Sequence, residues 1–246
     1  MNDSFSSWVT NKNARLPRTK ANLQQECYIK TFLNDLYKYA NHFDISGKNI
    51  LTLQRVETLG LDKGKDTVND EEFLERFFIL AHTDDLYNHL SFNGKNSVDL
   101  VRATKKGCIT DLIELKNGSN NLYHALYEVI FYYFLLCRTK NKIKDKENHK
   151  ITVSSTLNLI VLLPQQLYDQ PDRYNKDKKV FVATMQKELD KLVKTTFPKP
   201  TIHVTTIPKD HPFFCHNKAE LIQAYKGENR ALYEELIHAT SAIQFP

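Results

Sequence analysis

The sequence predicts an α/β domain built on a mixed central sheet. Three observations carry this. Periodic segments between Asp70 and Pro164 follow the order α, β, β, β, α, β. The second and third of the strands are rich in β-branched and apolar residues and flank a glycine-containing turn. The last is an unbroken apolar run, the pattern of a strand buried on both faces.

Ahead of this core, Asn22 to Phe43 carries Leu23, Cys27, Phe32, Leu36, Tyr37, Ala40 and Phe43 at near-helical spacing and predicts a long helix. ILTLQRVETL, residues 50–59, reads equally well as a strand or a helix start. DEEFLERFFILA, Asp70 to Ala81, sets Phe73, Leu74, Phe77, Phe78 and Ala81 on helical spacing, with Asn69 as its N-cap. LYNHLSF, Leu86 to Phe92, is a first strand, and VDLVRA and CITDLIEL form a hairpin closed by a two-residue Lys106-Gly107 loop. NNLYHALYEVIFYYFLL, Asn120 to Leu136, opens on a capping asparagine and is apolar enough to be a largely buried helix. LNLIVLL, Leu157 to Leu163, is the buried strand.

Beyond the core, Lys179 to Thr196 reads as an amphipathic helix. TIHVTTI, Thr201 to Ile207, bounded by Pro200 and Pro208, reads as a strand extending the same sheet, and Lys218 to Ile243 as one or two helices broken at Gly227. No repeat or low-complexity linker divides the chain. A single elaborated domain over 1–246 is expected, with its core at about 69–164, an N-terminal helical extension at 18–60 and a C-terminal helix-strand-helix extension at 177–243.

The hairpin is where chemistry concentrates. A Lys106-Gly107 loop sets Lys105 opposite Cys108, and the same register sets Asp99 opposite Glu114 on one face. Lys116, two residues on, projects to that face too, while Leu115 points the other way. A one-residue slip would turn Asp99 away unless a bulge absorbed it. Two carboxylates on neighbouring strands suit Mg2+, a hard cation that prefers oxygen ligands, with Mn2+ as a substitute and the Leu115 carbonyl as a third oxygen. Lys116 beside the ion would orient a water or stabilise charge on a phosphate. The plainer reading is a cross-strand ion pair on a solvated face. An acidic-x-Lys triplet alone decides nothing, since Asp177-Lys178-Lys179 also fits it.

Set in the αβββαβ order, these residues resemble the PD-(D/E)xK nuclease-like superfamily, the restriction-endonuclease-like fold. The resemblance covers Asp70 to Pro164 and matches Asp99 to the motif acid, Glu114 to the second acid and Lys116 to the lysine, with Val98 where the motif has proline. It implies a metal-dependent nuclease acting on DNA, with Asp99 and Glu114 on the ion and Lys116 assisting water. A glutamate of the first core helix joins in some members, and Glu71 or Glu75 would fill that place. His124 and Glu128, one turn apart on the next helix, are accessory candidates facing a phosphate or the surroundings of the metal. A hydrogen-bonded pair at the core's edge is the plainer reading of these two. The fold also hosts inactive relatives, so a nucleic-acid- or protein-binding module is the alternative, and an interaction protein whose hairpin carries only surface charge a second.

Composition permits these readings. The net charge of +5 is compatible with a nucleic-acid partner without requiring one. Basic runs lie at Lys12, Arg15, Arg18 and Lys20, and at Arg138, Lys140, Lys142, Lys144 and Lys146. Cys27, Cys108, Cys137 and Cys215 are too dispersed for a zinc or iron–sulfur site or a disulfide framework, and His211, Cys215 and His216 in HPFFCH lack a second ligand pair. With seven glycines, no phosphate-cradling loop can be written. No stretch has signal-peptide character or bilayer-spanning length, so no membrane partner and a cytoplasmic location are expected. A homodimer stays open, because no residue decides the oligomeric state.

Overall fold

The computed structural model describes residues 22–45, 51–59, 70–93, 96–117, 122–170 and 177–246. In chain order these contain α1 (Asn22–His42), α2 (Asp70–Ala81), β1 (Leu86–Asn93), β2 (Asn96–Ala103), β3 (Cys108–Leu115), α3 (Leu122–Thr139) and β4 (Thr152–Pro164). There follow α4 (Gln165–Asp169), α5 (Lys178–Leu192), β5 (Lys199–Ile207), α6 (Pro212–Cys215), α7 (Lys218–Tyr225) and α8 (Arg230–Ser241). The α/β class and the αβββαβ order from α2 to β4 are those the sequence predicts. The helix caps expected at Asn69 and Asn120, and the basic run Lys12 to Lys20, lie outside the described residues.

The five strands stand side by side in chain order. β1, β2 and β3 pair antiparallel, while β3–β4 and β4–β5 are parallel because α3 and α5 carry the chain back between them. Side chains alternate across the sheet. β4 sends Leu157, Leu159, Val161 and Leu163 to the face covered by α1, α3 and α5, and Ile160 and Leu162 to the face covered by α2, α7 and α8. β4 begins at Thr152, ahead of its apolar run, because Thr152 and Val153 pair with Cys108 and Ile109. The TVSST stretch has one apolar residue, Val153, and so carries no periodic apolar signal. Residues 51–59 form only isolated bridges, Thr52 to Lys144 and Gln54 to Asn88.

The expected two-residue hairpin loop is replaced by a three-residue one. Gly107 N donates to Thr104 O at 2.8 Å, Thr104 N donates to Cys108 O at 2.9 Å, and Ala103 stands opposite Ile109. A two-residue turn of the favoured type would force Lys106 as well as Gly107 to positive φ. The longer turn asks this only of Gly107, at φ 71°. By itself the change slips the register by one. A bulge at Thr110 takes the residue back, so that Arg102 faces Asp111, Val101 faces Leu112 and Leu100 faces Ile113. Carried one residue past the last pair, this register brings Asp99 level with Glu114.

One polar row crosses the sheet: Arg102, Asp111, Asn158 and Thr201 are successive cross-strand neighbours on β2 to β5. Asp111 is fully buried, paired with Arg102, and accepts from Asn158 Nδ2 at 2.6 Å. No helix among the described residues is long and apolar enough to cross a membrane.

Candidate active site

Asp99, Glu114 and Lys116 meet at the end of the hairpin away from its turn, on the face that α3 covers. Glu114 and Lys116, two apart on one side of β3, are 1% and 5% exposed, and Lys116 Nζ lies 2.5 Å from Glu114 Oε1. Asp99 is half-buried, and its Oδ2 accepts from Leu115 N at 2.9 Å. A residue's N–H and C=O leave a strand on the same side, so the Leu115 carbonyl faces β2 as well.

Two helices complete the group. α3 begins shortly after Lys116 and must return over the end of β3, which brings Glu128 Oε2 to 3.2 Å from Lys116 Nζ and 3.4 Å from His124 Nδ1. The predicted His124–Glu128 pair is thus a real contact, and Glu128 bridges His124 to Lys116. From the first turn of α2, Glu71 sets Oε1 3.6 Å from Lys116 Nζ while Oε2 accepts from Asn117 N at 3.2 Å. Glu75, the other candidate on α2, is not among them. One turn deeper, it pairs with Arg76 and accepts from Asn88 Nδ2 at 2.6 Å. Burial pushes its carboxyl up to about 7, against the pull of Arg76 and Asn88.

Four carboxylates around one ammonium perturb each other. Burial, opposed by Lys116 and reinforced by Glu128 and Glu71, pushes Asp99 up to about 6. Burial, then Asp99 and Glu128, raise Glu114 well above the ordinary carboxylate range. Burial also acts against the charged form of Glu128, but hydrogen bonding with His124, the Lys116 charge and contact with Glu114 outweigh it and lower its carboxyl. Burial would discharge Lys116, yet Glu114, Asp99, Glu128 and Glu71 hold it protonated. Glu114 Oε2 is buried without a hydrogen-bond donor, whereas Glu128 Oε2 faces the Lys116 ammonium. A buried acceptor so placed calls for a shared proton or a cation.

The fit to a divalent ion is therefore one of chemistry. Hard oxygen donors stand opposite each other on adjoining strands, and the Glu114 oxygen is buried and unanswered. Among the described residues, no three His, Cys, Asp or Glu side chains form a ready metal cage. The Lys116 ammonium sits among the carboxylates instead.

Tyr132, one turn beyond Glu128, belongs to this environment. It is buried, and after burial itself the charges of Glu128, Glu114 and Asp99 raise its hydroxyl. Its burial is that of the largely buried helix the sequence predicts, and His124, Glu128 and Tyr132 at spacings of four lie along one helix face.

The other features of the sequence are used structurally. Arg138 donates to Ala40 O and Phe43 O, Lys140 to Thr196 O and Lys146 to Arg55 O. His211 accepts from Phe213 N at the start of α6, and His216 pairs with Glu220. The four cysteines are free. The chain matches no protein-family model, no curated protein and no solved structure.

Proposed function

We propose that the chain is a metal-dependent nuclease of the PD-(D/E)xK nuclease-like kind, hydrolysing DNA phosphodiester bonds in the cytoplasm. The observation that carries this reading is the cross-strand meeting of Asp99 and Glu114 beside Lys116, with a buried Glu114 oxygen that lacks a donor. Asp99, Glu114 and the Leu115 carbonyl would hold Mg2+, or Mn2+ in its place. Such an ion, when bound, lowers the pKa of a coordinated water and offsets phosphate charge. Lys116, kept protonated by its neighbours, presents a fixed positive charge where negative charge builds on the phosphoryl oxygens. Asp99, Glu71, His124 and Glu128 are the partly exposed members of the group.

A second reading keeps the fold for a non-catalytic nucleic-acid- or protein-binding module. It is favoured by the Lys116 ammonium lying among the carboxylates with no three of them set as a cage. The test is incubation with plasmid and single-stranded DNA plus Mg2+ or Mn2+, beside a Glu114→Ala, Lys116→Ala control. Nuclease activity predicts cleavage that falls at least about 100-fold in the control, the scale of losing a charge-stabilising group. Cleavage that survives the control removes the assignment, and no cleavage of either DNA leaves the binding module.

A further inference from the structure

Glu128 reaches Lys116 from α3 and meets a second side chain of that helix, His124. Its Oε2 is 3.2 Å from Lys116 Nζ and 3.4 Å from His124 Nδ1. Lys116 is nearer to Glu114, at 2.5 Å, and further from Glu71, at 3.6 Å. An ammonium that close to Glu114 competes with any cation for the same oxygens. It is also nearly buried, so it cannot leave for water and must keep a carboxylate partner wherever it goes.

Resting on the nuclease reading, we propose that Glu128 is a positioning residue that takes over the Lys116 ammonium when a divalent cation occupies Asp99 and Glu114. Glu128 is then a parking place for the lysine and does not ligate the ion. Three observations fit. Glu128 stands on a helix, outside the strand pair that supplies Asp99 and Glu114. It already lies within ion-pair distance of Lys116, so the ammonium need only let go of Glu114. His124 braces the carboxylate from one turn away, leaving it preset for the transfer.

The experiment is a double-mutant cycle on Mn2+ affinity, read by calorimetric titration of the full chain. With Lys116 present, Glu128→Gln should weaken Mn2+ binding by about tenfold, because the lysine stays on Glu114. In a Lys116→Gln background the same change should cost less than about threefold, the residue of lost charge alone. Equal losses in the two backgrounds would mean that Glu128 ligates the ion, and would overturn the inference while leaving the nuclease reading intact. No Mn2+ binding by the unsubstituted chain would overturn both. Should the Lys116→Gln chain not fold, the 15N ammonium resonance of Lys116 in the unsubstituted protein carries the test. Adding Mg2+ should shift it yet keep it protected from water exchange, and loss of that protection would overturn the proposal.

Discussion

Asp99→Asn should stabilise the metal-free protein, and the size of the effect follows from the setting of the carboxyl. Burial and the carboxylates of Glu128 and Glu71 raise Asp99 from an ordinary 3.8 to about 6 in the folded chain. About two pH units at ~1.4 kcal/mol each gives an upper limit of about 3 kcal/mol. Below pH about 4 the group is protonated in both states, and the substitution should be silent. Between about 4 and 6 the unfolded chain ionises first, so the native state loses ground as pH rises; above 6 the penalty is complete. Asparagine keeps an oxygen for the Leu115 N–H, so the hydrogen bond survives. Urea unfolding of both chains in EDTA, from pH 3.5 to 8, should give curves that coincide in acid and separate by about 1–3 kcal/mol at neutrality. An ordinary cross-strand ion pair predicts the reverse sign. A variant at least about 1 kcal/mol less stable at pH 7 would therefore refute the convergence of carboxylates on Asp99.

Three further outcomes are expected. Arg102→Met should cost about 3–5 kcal/mol, because Asp111 is fully buried and would keep only neutral partners, the Asn158 amide and the Thr110 hydroxyl; adding Asp111→Leu should recover most of it, and strict additivity in urea unfolding would contradict the pairing. His211 is neutral with Nδ1 accepting from Phe213 N and Nε2 donating to Thr240 Oγ1, whose own proton goes to Leu236 O. Burial pulls its imidazole down to about 4, so its share of stability, about 3 kcal/mol, is complete above pH ~6.5 and lost as pH falls toward 4. His211→Asn should abolish that component of the stability profile. Gly107→Ala should cost about 1–2 kcal/mol, since it forces φ 71° on an L side chain and sets a Cβ 3.1 Å from Ile151 Cδ1; Gly107→Asn should cost less, and a neutral Ala variant in thermal unfolding would count against the turn described.

Most of this fold was legible because each element carries its own periodicity. Phe73, Leu74, Phe77 and Phe78 mark α2 at helical spacing, and the apolar run from Leu157 marks a strand covered on both sides. What escaped was set by partners distant in sequence. Thr152 and Val153 are strand only because β3 lies beside them. The choice of Glu71 over Glu75 depends on where α2 stands relative to the end of β3, since both occupy one helix face. The register of Asp99 and Glu114 was read correctly through a loop that differs from the one assumed. The contact of Glu128 with Lys116 has no local signature. It follows from α3 having to fold back over β3, a matter of chain path that no residue type encodes.

The hairpin tip and the carboxylates occupy opposite ends of one ribbon, ~20 Å apart at about 3.3 Å per residue. Because the bulge at Thr110 cancels the one-residue offset of this three-residue turn, loop length and bulge are matched, and a tip of another length would turn Asp99 away from Glu114 unless the bulge changed with it. The charges of Lys105 and Lys106 are thus free to change at the corner, whereas its length is tied to the geometry of the ribbon's far end.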